Sequence, residues 1–171
     1  DVLSFEQGLT DSLQEDVDVI MLSELESPQA IAMAIKVAAS GRLVLSTLST
    51  SSTVSAIEKI LASFPPGEQE QIRTELSEAL QGVIAQILLP RAGGGRIAVA
   101  EVLTVNAPIR SILRDGDVYQ IQTILQTSRE EGMIPLDRAL AEQVKAGTVS
   151  IDDALQHASD SRTLQTMLQP M

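Results

Sequence analysis

Apolar residues recur along this chain in two rhythms, and the order in which the rhythms alternate sets the fold class. Leu9 and Leu13 stand four apart behind Ser4-Phe5-Glu6-Gln7, whose S-x-x-Q form is a capping box, so a short helix is expected, ended by Asp16 to Asp18. Val17, Val19, Ile20, Met21 and Leu22 then form a near-continuous apolar run, the pattern of a strand buried on both faces. Ser27-Pro28 reads as a helix N-cap and first helical residue; Ile31, Ala34, Ile35 and Ala38 carry the stripe, and Gly41 ends it. Leu43-Val44-Leu45 continues into Ser46-Thr47-Leu48 as a second buried strand, which runs out into the polar stretch 49–53. Val54, Ile57, Ile60 and Leu61 mark a helix stopped by Pro65-Pro66, and Ile72, Leu76, Ala79 and Leu80 mark another over about 67–82. Strand, helix, strand, helix implies parallel strands and an α/β sheet.

The rhythm then changes. Residues 84–89 and 96–105 read as two strands joined by the glycine turn Arg91-Ala92-Gly93-Gly94-Gly95, an antiparallel pair. After Asn106 everything reads as helical. Ile109, Ile112 and Leu113 mark one helix, ended by Asp115-Gly116; Val118, Ile121, Ile124 and Leu125 mark a second. Leu136, Leu140 and Val144 mark a third, closed by Lys145 and Gly147, and Ser150-Ile151-Asp152-Asp153 caps a fourth, with acids where the helix dipole favours them. The last dozen residues are polar and expected to fray.

Composition narrows the function classes. The 171 residues include no Cys, no Trp, two Phe and one Tyr, so the core is built from aliphatic residues. A formal charge of -11 argues against nucleic-acid binding, which needs clustered Lys and Arg, and against an anionic membrane surface. The lack of Cys excludes disulfides and thiolate metal sites and fits a reducing cytoplasm. No apolar run approaches the roughly 20 residues of a membrane span. The chain opens on Asp1 rather than Met and reads as part of a longer protein.

Parallel α/β sheets place ligands at the carboxyl ends of their strands. The first such end delivers Ser23-Glu24-Leu25-Glu26, and the second Ser46-Thr47-Leu48-Ser49-Thr50. An acid after a hydrophobic strand is either a Walker-B group, which holds Mg²⁺ or orients an attacking water, or a solvated loop acid. The Ser/Thr tract is either part of the same site or a hydroxyl-rich cap for the helix that follows. His157 lies among polar residues and reads as a surface residue. Gly93-Gly94-Gly95 precedes a strand and lacks a following Lys-Ser/Thr pair, so it reads as a hairpin turn. No G-x-x-x-x-G-K-[ST] loop, Ser-His-Asp arrangement or metal-spaced His cluster occurs in the chain.

Five collinear segments together resemble the twitching-motility (PilT-type) pilus retraction ATPases of the secretion superfamily. Glu15-Asp16-Val17-Asp18-Val19-Ile20-Met21-Leu22-Ser23-Glu24 is similar to E-D-P-D-V-I-L-V-G-E, and Ala38 to Thr50 is similar to A-A-E-T-G-H-L-V-F-G-T-L-H-T. Phe64-Pro65 to Arg73 resembles F-P-A-E-E-K-x-x-V-R, and Ala107 to Asp115 resembles A-I-R-N-L-I-R-E. Gln126-Thr127-Ser128 through Gly132-Met133-Ile134-Pro135-Leu136-Asp137 resembles Q-T-G-x-x-x-G-M-Q-T-L-D.

The resemblance implies a RecA-like P-loop NTPase core, partial because its Walker-A half would lie upstream, over residues 1–105, and a helical C-terminal region over 106–171. It implies an ATP-driven cytoplasmic homo-hexamer that acts on a pilus platform protein at the inner membrane, peripheral to the membrane and not inserted in it. ATP and Mg²⁺ are implied for the full-length protein and none for this piece alone. Glu24 stands at the Walker-B glutamate, with Ser23, Thr47, Ser49 and Thr50 around the nucleotide and Ser49 at the box histidine. Ile109, Arg110, Leu113 and Arg114 fall on the retraction-motif helix, where a spacing of four puts both arginines on one face. The departures are chemical: Thr10 and Gln14 replace two arginines, Glu26 replaces a third with opposite sign, and the histidine is gone. Impaired hydrolysis is therefore expected, or a non-catalytic paralogue that binds or regulates within a pilus or secretion machine.

Overall fold

The computed structural model describes residues 5–127 and 132–169. The chain divides into two compact units. One holds the residues up to Thr50 together with Val54–Gln81 and Val105–Ile121; the other holds Ser51–Thr53, Gly82–Thr104 and the residues from Gln122 onward.

The first unit is built on two parallel strands, β1 (Val19–Glu24) and β2 (Leu43–Thr47), joined by α2 (Pro28–Ala39). Val19 pairs with Leu43, Ile20 with Val44 and Met21 with Leu45; a register irregularity then brings Glu24 opposite Thr47. The crossover helix starts as its residues dictate: the Ser27 hydroxyl accepts the Ala30 N–H, and Pro28 occupies the first turn, where no amide donor is needed. Leu22, Ala34 and Val37 bury against Leu9 of α1 (Phe5–Gln14), with Ile20 and Val44 packed beside them. The capping box expected ahead of α1 begins at Ser4, which lies outside the described residues. At the other end of α1, just before Asp16 as expected, Arg42 donates to the carbonyls of Leu13 and Glu15.

Burial on both strand faces was the expectation, and the structure differs. Val19, Met21, Leu43 and Leu45 point away from α1 and α2 and are 57%, 79%, 49% and 48% exposed. A continuous apolar run encodes apolar cover on both faces, and among the described residues only one face has it. Beyond β2, α3 (Thr53–Ala62) leads through Pro65 into α4 (Pro66–Ala79), which packs against α2 and against α5 (Ala107–Asp115).

In the second unit β3 (Gly82–Pro90) and β4 (Arg96–Thr104) form the expected antiparallel hairpin, in continuous register from Gly82–Thr104 to Pro90–Arg96. Its turn runs through Gly93, Gly94 and Gly95 at φ of 90°, 108° and 78°, a region that side chains with a Cβ rarely enter. Leu89 and Val99 bury with Leu136 and Leu140 of α7 (Leu136–Lys145), Ala154 of α8 (Ile151–His157) and Leu164 of α9 (Ser161–Leu168).

Two expectations for the C-terminal half change. The polar tail is not frayed over its length: Asp160 caps α9 by accepting the Arg162 N–H and the Thr163 hydroxyl, and Leu164 is fully buried. Nor is everything past Asn106 helical. Ile134 bridges Val102 through two backbone hydrogen bonds of 2.8 and 2.9 Å, and the second predicted helix opens as a 3₁₀ turn, Val118–Gln120, before α6 (Ile121–Thr127). Part of the Q-T-G-like segment, residues 128–131, lies outside the described residues.

Candidate functional site

The two strand ends meet. Glu24, the last residue of β1, is half-buried, and its Oε1 accepts both the Ser49 amide at 3.0 Å and the Ser49 hydroxyl at 2.5 Å. The Ser46 hydroxyl donates to the Ser23 carbonyl at 2.7 Å, and the Leu25 amide donates to the Thr47 carbonyl at 3.1 Å. Parallel pairing carries both ends outward together, so two segments 25 residues apart in sequence converge. Of the five residues expected here, Ser23, Glu24, Thr47 and Ser49 interlock; Thr50, half-buried, follows directly in the chain.

A lysine completes the cluster. Lys59 Nζ, from the last turn of α3, donates to the Ser49 carbonyl at 3.3 Å and lies 4.0 Å from Glu24 Oε1. The Ser49 hydroxyl and then its amide hold the Glu24 carboxyl below its ordinary value, against a smaller upward push from desolvation, and the nearby ammonium adds the least. An ionised carboxylate with both hydrogen bonds on one oxygen keeps its other oxygen for a metal-bound or attacking water. The donor set thus suits the metal side of a nucleotide site. It does not suit the phosphates: Thr10, Gln14 and Glu26, at the three positions that departed from the family's arginines, are uncharged or acidic and exposed. Among the described residues no group of three or more metal-ligating side chains forms.

The helix resembling A-I-R-N-L-I-R-E is capped as its residues require. The Asn106 side chain accepts the Ile109 N–H, and Gly116 closes the C-terminus at φ 86°. Ile109 and Leu113 are fully buried, so they hold the helix in place. The spacing of four puts its two arginines on one face, yet their surroundings differ. Arg110 donates to the carbonyls of Ser77 and Glu78 at 2.5 and 3.0 Å and to Gln81 Oε1 at 3.2 Å. Those carbonyls belong to the last turn of α4, which has no basic residue of its own there. Arg114 is exposed, and no described residue bonds its guanidinium.

Three groups escaped the sequence reading. Lys59 left a signal: it is the only Lys or Arg between Arg42 and Arg73. Glu101 is 2% exposed on β4, and its Oε1 accepts the amide and hydroxyl of Thr53 at 2.8 and 2.7 Å. Asp137 is 4% exposed on α7 and accepts the amides of Ser159 and Asp160 at 2.7 and 3.0 Å. Neither acid had a local signature, because each partner lies at least 22 residues away. His157 is a surface residue, as expected, with Nδ1 2.9 Å from the Asp153 carbonyl. Among the described residues no helix is long and apolar enough to cross a membrane.

Residues 2–156 match the family model described as Type II/IV secretion system protein. The chain is 37% identical over 163 residues to a twitching motility protein of Neisseria gonorrhoeae, covering 95% of this chain and 44% of that one. It is 36% identical over 158 residues to the type IV pilus retraction ATPase PilT of Pseudomonas aeruginosa, covering 92% and 46%. The crystal structure of the pilus retraction motor PilT with bound ADP superposes with a TM-score of 0.87 at 34% identity, over 97% of this chain and 47% of that one. The chain thus spans less than half the length of these relatives. On these matches the chain belongs to the Type II/IV secretion system protein family, is of the PilT type, and has the α/β fold of the RecA-like secretion ATPases.

Proposed function

We propose that this chain is the C-terminal part of a PilT-like type IV pilus retraction ATPase with impaired hydrolysis, working as a hexamer on a pilus platform protein. The observation that carries the reading is Glu24, at the end of a parallel strand, ionised and clasped by the second strand end, as a Walker-B acid would be. Mg²⁺ and ATP would supply, respectively, the Lewis acid and the phosphoryl group; Glu24 would hold water on the metal side. The phosphate cradle and Walker-A strand belong to the upstream half of the family's motor, so residues 1–105 are only part of the core. Impairment follows from charge. Removing one arginine-finger group costs roughly 10³–10⁵ in phosphoryl-transfer rate, and here three such positions carry Thr10, Gln14 and Glu26.

A second reading has a specific observation behind it. Ser49 stands where the family has a histidine, and its short bond to Glu24 binds the carboxylate without offering a proton-transfer group. A non-catalytic paralogue that binds or regulates within a pilus or secretion machine would keep such a clasp and lose turnover. Phosphate release by the longer protein decides between the two. Slow Mg²⁺-dependent release that Glu24→Gln abolishes supports the impaired motor. ATP binding with no release, together with a degraded G-x-x-x-x-G-K-[ST] upstream, supports the paralogue. Fast release overturns the impairment, and release indifferent to Glu24→Gln overturns the assignment of Glu24. The 171-residue chain alone is expected to release no phosphate.

A further inference from the structure

We infer that Lys59 is a positioning residue of the strand-end site, fixing the Ser49 peptide so that both donors of Ser49 reach one oxygen of Glu24. The inference rests on reading Glu24 as the acid of the site and adds how that acid is held. As an ion pair the contact is weak: 4.0 Å between groups that are 46% and 37% exposed is screened by water and contributes little. The geometry at Ser49 is what gives Lys59 its effect. Ser49 reaches Glu24 with its amide and its hydroxyl, so a modest rotation of residue 49 loses both bonds at once. On the other side of the same residue, the Ser49 carbonyl is taken by Lys59 Nζ.

The topology explains why a lysine six residues into α3 can do this. Side chains on a helix lean toward its N-terminus, so Lys59 reaches back along α3 toward the segment that precedes it. Ser49 sits four residues before the first residue of α3, on a stretch that lies between β2 and the helix. A charged donor on the carbonyl of such a stretch restricts the peptide rotation that polar connecting segments otherwise permit. No other cation lies in the sequence between Arg42 and Arg73 to substitute for it.

The test follows the Glu24 side-chain carboxyl through a pH titration by carbon-detected NMR on the ¹³C-labelled 171-residue chain. Lys59→Met is expected to move the Glu24 midpoint upward, and Lys59→Arg to leave it in place. In a Ser49→Ala background the Lys59→Met shift is expected to shrink, because the hydroxyl bond through which Lys59 acts is already gone. A Glu24 midpoint unmoved by Lys59→Met overturns the inference. So does a shift of equal size with and without the Ser49 hydroxyl, which would make Lys59 a charge acting through space only. The Glu24 reading itself fails elsewhere, in the Glu24→Gln turnover of the longer protein, and that result does not touch the NMR outcome.

Discussion

Asp137 shows how one buried side chain can organise structure far from its place in the sequence. It sits in the first turn of α7, where an acid suits the helix N-terminus, yet its oxygens accept the amides of Ser159 and Asp160 at the start of α9. Burial pushes its carboxyl above the ordinary aspartate value. The Asp160 and Ser159 amide bonds oppose that push, and the nearby Asp160 and Glu101 carboxylates add to it. The sign of the stability effect follows. A group whose folded pKa is raised binds its proton more tightly in the folded chain, so its contribution is greatest at low pH and is lost as pH rises through the raised value. Glu24 and Asp160 run the other way, with carboxyls held down by hydrogen bonds that are lost as pH falls. Comparing the wild type with Asp137→Asn cancels those two. Urea midpoints measured across the acid range should therefore show the wild type gaining on Asp137→Asn as pH falls from neutrality. A difference between the two that stays constant with pH would show that the Asp137 charge carries no net burial cost.

At the scale of elements, α5 separates what the chain encodes locally from what it encodes at a distance. Its C-terminal end was legible, because Gly116 is a residue whose backbone freedom stops a helix, whereas the start, capped by Asn106 with Pro108 in the first turn, emerged only in the structure. Its buried stripe was legible from the spacing of Ile109, Ile112 and Leu113. The job of Arg110 was not, since its acceptors on α4 lie 32 and 33 residues away and spacing of four says only that two arginines share a face. The same limit hid α9, whose polar sequence has one fully buried anchor, Leu164, and a start held by Asp137. It also hid Lys59, whose lone charge acquires meaning only when β1, β2 and α3 converge. The division of labour on α5 is measurable. Charge-assisted bonds to orphan carbonyls contribute about 1–3 kcal/mol, so Arg110→Ala should lower unfolding stability by that order. Arg114→Ala should change it by less than about 0.5 kcal/mol. Under the proposed retraction role, with Arg114 as the partner contact, Arg114→Ala is expected to impair pilus retraction in cells with full protein stability, and Arg110→Ala in proportion to lost fold. Equal stability losses for the two variants would sink the distinction.

At the scale of the molecule, the apolar pattern of β1 and β2 says more than this chain alone satisfies. Val19 with Leu43 and Met21 with Leu45 form two cross-strand pairs on one exposed face, each residue between 48% and 79% open to solvent. Fully covering a side chain of this kind is favourable by about 1.5–3 kcal/mol, so a face of four such residues is a strong incentive to associate. Parallel sheets are ordinarily covered on both sides, and an apolar patch on a protein surface marks an interaction site or a liability. The net charge of -11 opposes close approach of like chains, but its repulsion is long-ranged and screened by salt, whereas the apolar attraction is not. The two forces therefore predict a salt-dependent outcome. Light scattering on the 171-residue chain should show molar mass rising with protein concentration, and rising further as ionic strength increases. Met21→Glu with Leu45→Lys, an opposite-charge pair across the two strands, should hold the chain at its monomer mass under both conditions while leaving the inward-facing Ile20, Leu22 and Val44 untouched. Association unchanged by that double substitution would place the interaction on another surface and leave the β1–β2 face without a role in the isolated chain.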